Sequence, residues 1–221
     1  MEITWYGHSC FRLTERSMAT VVTDPYDSQY VGYEPLRLKA DVVTVSHDTP
    51  GHNFVSVVKG QSHIIDGPGE FEIGGVFITG IQTNGHTKKS FEEPRNTMYL
   101  FEYNGINVLH LGELDRVPTQ TEVEELGPVH VALVPVGAGG SLTAIKATEV
   151  ISLLEPNIVI PMHYADAHTI TTPIKMEPLA KFLKEMGLAN VESIPSLKLP
   201  NVSALPSETR VVVLEYQHNN A

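Results

Sequence analysis

An α/β fold with two β-sheets and helices outside them is what this sequence predicts. Short runs rich in Val and Ile recur along the whole chain, separated by Gly, Pro, Asn and Asp. That is the pattern of buried strands and their turns. Two tight-turn signals, Gly74-Gly75 and Asn104-Gly105, lie between such runs and mark hairpins. The clear helical segments fall in the second half, among strands. No low-complexity linker divides the chain, so one domain is expected over residues 1–216, followed by a polar tail at 217–221.

The elements follow in order. Ile3 to Tyr6 and Cys10 to Leu13 read as short strands around Gly7-His8-Ser9. Thr20 to Thr23 is a strand ending in Asp24-Pro25, and residues 27–40 are loop-like. Val42 to Ser46 is a buried strand that runs into His47 and the turn Asp48 to Asn53. Ser62 to Ile65 enters Asp66-Gly67-Pro68-Gly69-Glu70, a stretch full of breakers. Glu72 to Ile81 is the first hairpin, and Asn96 to Tyr103 with Ile106 to Leu109 the second. Thr119 to Glu122 is a capping box that opens a helix ended by Gly127. Val129 to Val136 is a strand leading to Gly137-Ala138-Gly139-Gly140, read as a loop over a site mouth. Thr143 to Leu154 is the best helix, with Ile145, Val150 and Leu153 among its apolar positions, stopped by Pro156. Pro178 to Met186 is a further helix, and Arg210 to Tyr216 the last strand.

Composition sets the bounds. Hydrophobic residues make up 42% of 221, enough for a sizeable core. The formal charge of −11 argues against a phosphate-backbone partner, so no nucleic acid is expected. Cys10 stands alone, which rules out an internal disulfide and a cysteine-based zinc cluster. The start, Met1 to Trp5, has no basic region followed by an apolar one, and no run approaches membrane-spanning length. A cytoplasmic protein with a small-molecule substrate and no membrane partner is expected. Oligomeric state is unreadable.

Four apolar runs end in a histidine or an acid, far apart in sequence. Val42 to Val45 leads to His47, and Val76 to Ile81 leads through Asn84-Gly85 to His86. Ile106 to Leu109 leads to Glu113, and Ile158 to Ile160 ends in Pro161-Met162-His163. Imidazoles and a carboxylate delivered by strand ends are how a hydrolytic metal site is built.

These residues carry a likeness. Ile3 to Phe11, Val22-Thr23-Asp24-Pro25, Val45-Ser46-His47 to His52, Gly85-His86, Leu111-Gly112-Glu113 and Val159 to Tyr164 resemble, in this order, the motifs of the metallo-β-lactamase superfamily, especially its small metal-dependent hydrolases. The resemblance implies an αββα sandwich of two mixed sheets with a metal site at one edge. By position it implies His47 and His86 as ligands of one ion, His52 and His163 of a second, and Glu113 as ligand to either or both. A single ion on a subset of the five is the simpler expectation. Two departures stand out: the family's second histidine is here Thr49, and its loop aspartate is here Gly51. That aspartate orients or deprotonates water in the family, so His8, Asp24, Asp66 and Glu70 are candidates to support the site or substitute for it.

The implied function is a metal-dependent hydrolase acting on an ester, amide, lactone or phosphodiester. The metal is Zn, with Mn, Fe or Ni as the alternatives such ligands accept. His52 and Glu113 are the candidates for catalytic roles. Thr49 and Gly51 motivate the opposing reading, a metal-poor descendant that binds a ligand or partner. Residues 27–40, 87–95 and 164–177 are expected to wall the site.

Overall fold

The carboxyl ends of parallel strands decide this architecture. The computed structural model describes residues 1–83, 96–169 and 175–218. The first sheet contains β1 (Glu2–Trp5), β2 (Phe11–Thr14), β3 (Val21–Thr23), β4 (Val42–Thr44) and β5 (His63–Ile65). The second contains β6 (Gly69–Ile73), β7 (Val76–Thr83), β8 (Asn96–Tyr103), β9 (Ile106–His110), β10 (Val131–Pro135) and β11 (Ile158–Met162). β12 (Leu197–Lys198) joins the first sheet beside β1, and β13 (Arg210–Val211) joins the second beside β11. The spatial orders are β12-β1-β2-β3-β4-β5 and β13-β11-β10-β9-β8-β7-β6. Both sheets are mixed, as the sandwich requires.

β2 is antiparallel to both β1 and β3, and β3 is parallel to β4. β1, β3 and β4 therefore point the same way and end at one edge. β9, β10 and β11 are mutually parallel and end together in the second sheet. The two edges meet. Thr97 N, in β8, donates to Ser46 O just beyond β4 at 2.7 Å, and the Tyr99 hydroxyl donates to Val45 O at 3.0 Å. Function in such sheets collects outside the carboxyl ends of the strands.

Local chemistry explains most elements. All five residues of β10 and all five of β11 are buried, as expected for strands covered on both faces. The β8–β9 turn places Asn104 at φ 50° and Gly105 at φ 79°, the left-handed pair a two-residue hairpin needs. Helix α1 (Ser28–Val31) is a single turn within the segment expected to be loop. In α2 (Gln120–Leu126) both arms of the Thr119–Glu122 capping box are present. Helix α3 (Ala144–Leu154) buries Ala147, Val150, Ile151 and Leu154, spaced three and four apart. Of its expected apolar positions, Val150 is buried, but Ile145 (58% exposed) and Leu153 (40%) face outward. Helix α4 is Leu179–Glu185. The expected last strand is interrupted. Arg210–Val211 lies in the second sheet, Val212 N bonds to Val159 O, and Val213–Leu214 pairs with Ser193–Ile194. No helix among the described residues is long and apolar enough to cross a membrane.

Candidate metal centre

Five strand ends deliver the site. His8 follows β1, Asp24 follows β3, His47 and His52 follow β4, Glu113 follows β9, and His163 follows β11. Three of them, His8 (φ 51°), Asp24 (φ 40°) and His163 (φ 53°), have left-handed backbone that non-glycine residues rarely adopt. Strain of that kind costs about 1–3 kcal/mol per residue and gathers at functional sites. The backbone is tied across the sheets: His163 N donates to His8 O at 3.2 Å, and the Trp5 indole donates to the same carbonyl at 3.0 Å.

Glu113 is the hub. Its Oε2 accepts from His47 Nε2 at 2.6 Å and lies 3.9 Å from His52 Nε2, while its Oε1 is 3.4 Å from His163 Nε2. The Glu113 amide donates to Asn96 Oδ1 at 2.9 Å, and Asn96 Nδ2 donates to Leu111 O and Thr83 Oγ1, each at 3.1 Å. Asn96 thus fixes the turn that presents the carboxylate. No motif reading singled it out, because it looks like any first residue of a strand. Asp24 is fully buried. Its Oδ1 accepts from Ser46 N at 2.7 Å, and its Oδ2 accepts from Ser46 Oγ at 2.5 Å and His52 Nδ1 at 2.7 Å. A carboxylate only accepts, so His52 carries its proton on Nδ1 and leaves the Nε2 lone pair free. Ser141, also not expected, lies 3.4 Å from His163 Nδ1 and donates to Ala138 O at 2.9 Å.

The cavity above these groups is about 120 Å³ and is lined by His8, Gly51, His52, Glu113 and His163, with Tyr30, Val31, Thr169 and Met176 as its wall. Gly139 joins them from the glycine loop, where that loop was expected. Two sets of ligand atoms lie within 4.8 Å of one another: His8, His52 and His163, and His47, His52 and Glu113. His86 and residues 87–95 lie outside the described residues. Asp66 and Glu70, offered as substitutes, are both exposed and neither lines the cavity. They follow or occupy β5 and β6, the outermost strands of their sheets. His110 is structural: Nε2 meets Ser9 O at 2.9 Å and Nδ1 accepts from Gly112 N at 3.1 Å.

The electrostatics suit a cation. Burial lowers the pKa of His8 and His52 well below 6.5, and neighbouring imidazoles push the same way. Burial lowers His163 as well. Burial pushes the Glu113 carboxyl up, but the His47 hydrogen bond and the nearby imidazoles outweigh it and hold it at about 2. Neutral imidazoles beside an ionised carboxylate are the protonation states that bind metal.

A stability prediction follows for metal-free protein. Below about pH 6.5 the unfolded chain protonates histidines that the folded chain keeps neutral, so stability falls as pH drops through that value. Glu113 adds a loss in the same direction, from its ordinary 4.5 toward about 2. In chelator, Tm is expected to be lower near pH 5.5 than near pH 7.5. Equal melting temperatures would show that the buried imidazoles protonate without cost.

Comparison with known proteins bears on this centre. Residues 2–163 match the model of the beta-lactamase superfamily domain. A UPF0173 protein of Pyrococcus furiosus is 27% identical over 191 residues, covering 74% of this chain and 83% of its own. A UPF0173 metal-dependent hydrolase of Methanosarcina mazei is 25% identical over 196 residues, with 74% and 83% covered. Among solved structures, a proposed Zn-dependent hydrolase of the metallo-β-lactamase superfamily from Thermotoga maritima is 37% identical. It superimposes with a TM-score of 0.77 over 98% of this chain and 99% of its own. With its strand-end histidines on that sandwich and those matches along its length, the chain belongs to the metallo-β-lactamase superfamily.

Proposed function

We propose that the chain is a metal-dependent hydrolase of small molecules, with zinc as the ion. The observation that carries this is the convergence of buried neutral imidazoles on one ionised carboxylate inside a cavity. Relatives named as metal-dependent hydrolases support it. A divalent ion would supply Lewis acidity and a water acidic enough to ionise near neutral pH.

His52, His163, Glu113 and His47 would hold the ion. His52 Nε2 is the nitrogen available, since Nδ1 is committed to Asp24. Glu113 suits ligation better than proton abstraction. A general base works best with a pKa near the operating pH, and a carboxyl at about 2 is far too weak. The cavity is open to solvent, so a substrate's scissile group can enter it while the rest of the molecule lies outside. Tyr30, Val31 and Met176 give it an apolar wall, which suits an ester, amide, lactone or phosphodiester on a modest organic body. The metal-poor reading is less favoured. Thr49, where a ligand is missing, hydrogen-bonds His47 Nε2 at 2.9 Å and keeps that ring beside the cavity.

The test is calorimetric and catalytic together. Zn²⁺ at about 100 times its Kd should stabilise the protein by about 2.7 kcal/mol, raising Tm by roughly 5–11 °C over a chelated sample. The zinc-loaded protein should hydrolyse at least one generic ester, lactone or phosphodiester, and His163→Ala should not. No shift in Tm with Zn²⁺ or Mn²⁺ would overturn the proposal.

A further inference from the structure

We infer that His8 is itself a ligand of the metal centre, completing a three-imidazole set with His52 and His163 in room that Gly51 makes for it. The inference rests on the metal-dependent reading above and adds to it the identity of the ligands. His8 is 6% exposed, and its Nδ1 is buried with no hydrogen-bond partner among the described residues. A buried polar nitrogen left unpaired is costly and calls for an explanation. Its ring centroid is 4.3 Å from that of His163 and 4.9 Å from that of His52. The ligand atoms of the three lie within 4.8 Å of one another, and all three residues are buried. Core packing alone does not account for this: an apolar side chain would fill the same space without burying the unpaired Nδ1 of His8.

Gly51 explains how His8 gets there. A Cβ built at Gly51 would stand 3.0 Å from His8 Nε2, so any side chain at that position would crowd the imidazole and shift it by a few tenths of an ångström. Gly51 does not have positive φ; the glycine serves the neighbour's space rather than its own backbone. His8 has φ 51°, and its carbonyl is held by Trp5 and His163. The strained turn and the glycine together place this ring over the cavity. Three neutral imidazoles select a borderline divalent cation such as Zn²⁺, Ni²⁺ or Co²⁺ over Mg²⁺ or Ca²⁺.

The experiment titrates Zn²⁺ and Co²⁺ into chelator-stripped full-length protein, following affinity, stoichiometry and the visible absorption of Co²⁺. His8→Asn is the main variant, because Asn tolerates left-handed φ better than most residues. It should bind Zn²⁺ roughly 100-fold more weakly or worse, with an altered Co²⁺ spectrum. Gly51→Ala, which keeps His8 but crowds its ring, should weaken binding in the same direction. His8→Asn combined with Gly51→Asp should recover affinity, as a carboxylate enters the vacated space. If wild type binds neither ion, the metal-dependent reading falls and this inference with it. If wild type binds and folded His8→Asn binds equally well with the same Co²⁺ spectrum, the inference alone is overturned. Should His8→Asn fail to fold, Gly51→Ala decides: unchanged affinity and spectrum overturn the inference.

Discussion

Gly137→Ala is expected to destabilise the protein by about 3 kcal/mol, at the upper end of overpacking effects, and to impair metal binding with it. A Cβ at this position would lie 2.1 Å from His163 O and 2.7 Å from Tyr164 Cα. Both are backbone atoms, so no side chain can swing aside. Nor can Gly137 retreat. Val136 N donates to Met162 O at 3.0 Å on one side, and Gly137 O accepts from Glu177 N at 2.6 Å on the other. The strand end bearing His163 must move instead. In a chain of this size the loss corresponds to a Tm lower by roughly 6–12 °C. A shift of about 1 Å in a ligand can cost on the order of 100-fold in function. A thermal melt and a zinc titration check both parts. A variant with wild-type Tm and zinc affinity would show that the β10 and β11 ends have slack this packing denies.

Much of the site was legible because strand ends can be read from composition. Apolar runs of three or four residues rich in Val and Ile mark where β4, β9 and β11 stop, and the residues just beyond, His47, Glu113 and His163, are the ones brought together. What resisted reading depends on order across a sheet. Asp66 follows a strand as Asp24 does, but β5 is the edge strand and β3 an inner one, and nothing local in the sequence records that difference. The rotation of α3 about its axis was equally hidden: Ile145 and Val150 are both apolar, yet only Val150 meets the core. Asn96 and Ser141 act through hydrogen bonds made across long sequence gaps, and such bonds leave no periodic trace. Gly51 could be read only as a loss. That it clears space for a ring 43 positions earlier (Gly51 minus His8) is visible only when the two loops face each other.

Asp24→Asn is expected to lower metal affinity by about 10–100-fold, the usual cost of losing the group that orients a ligating histidine, with the fold largely intact. The carboxylate accepts three hydrogen bonds, one on Oδ1 from Ser46 N and two on Oδ2 from Ser46 Oγ and His52 Nδ1. An amide of the same shape offers one acceptor and one donor group. Ser46 N is a fixed backbone donor, so the amide oxygen must face it. The NH₂ then points at His52 Nδ1 and Ser46 Oγ. The serine hydroxyl can rotate and accept. His52 can escape the clash of donors only by moving its proton from Nδ1 to Nε2, which caps the lone pair that faces the cavity. The defect is thus one of tautomer rather than of position, and it separates Asp24→Asn from Asp24→Ala. Alanine leaves Ser46 N and His52 Nδ1 buried without acceptors, and each such group costs about 1–3 kcal/mol. Asp24→Ala should therefore lose stability as well as metal, while Asp24→Asn loses mainly metal. Nitrogen chemical shifts of the His52 ring report the tautomer directly, and a competitive zinc titration reports the affinity. Unchanged affinity in Asp24→Asn, with the proton still on Nδ1, would mean that His52 is positioned without Asp24 and that this buried carboxylate serves only the turn after β3.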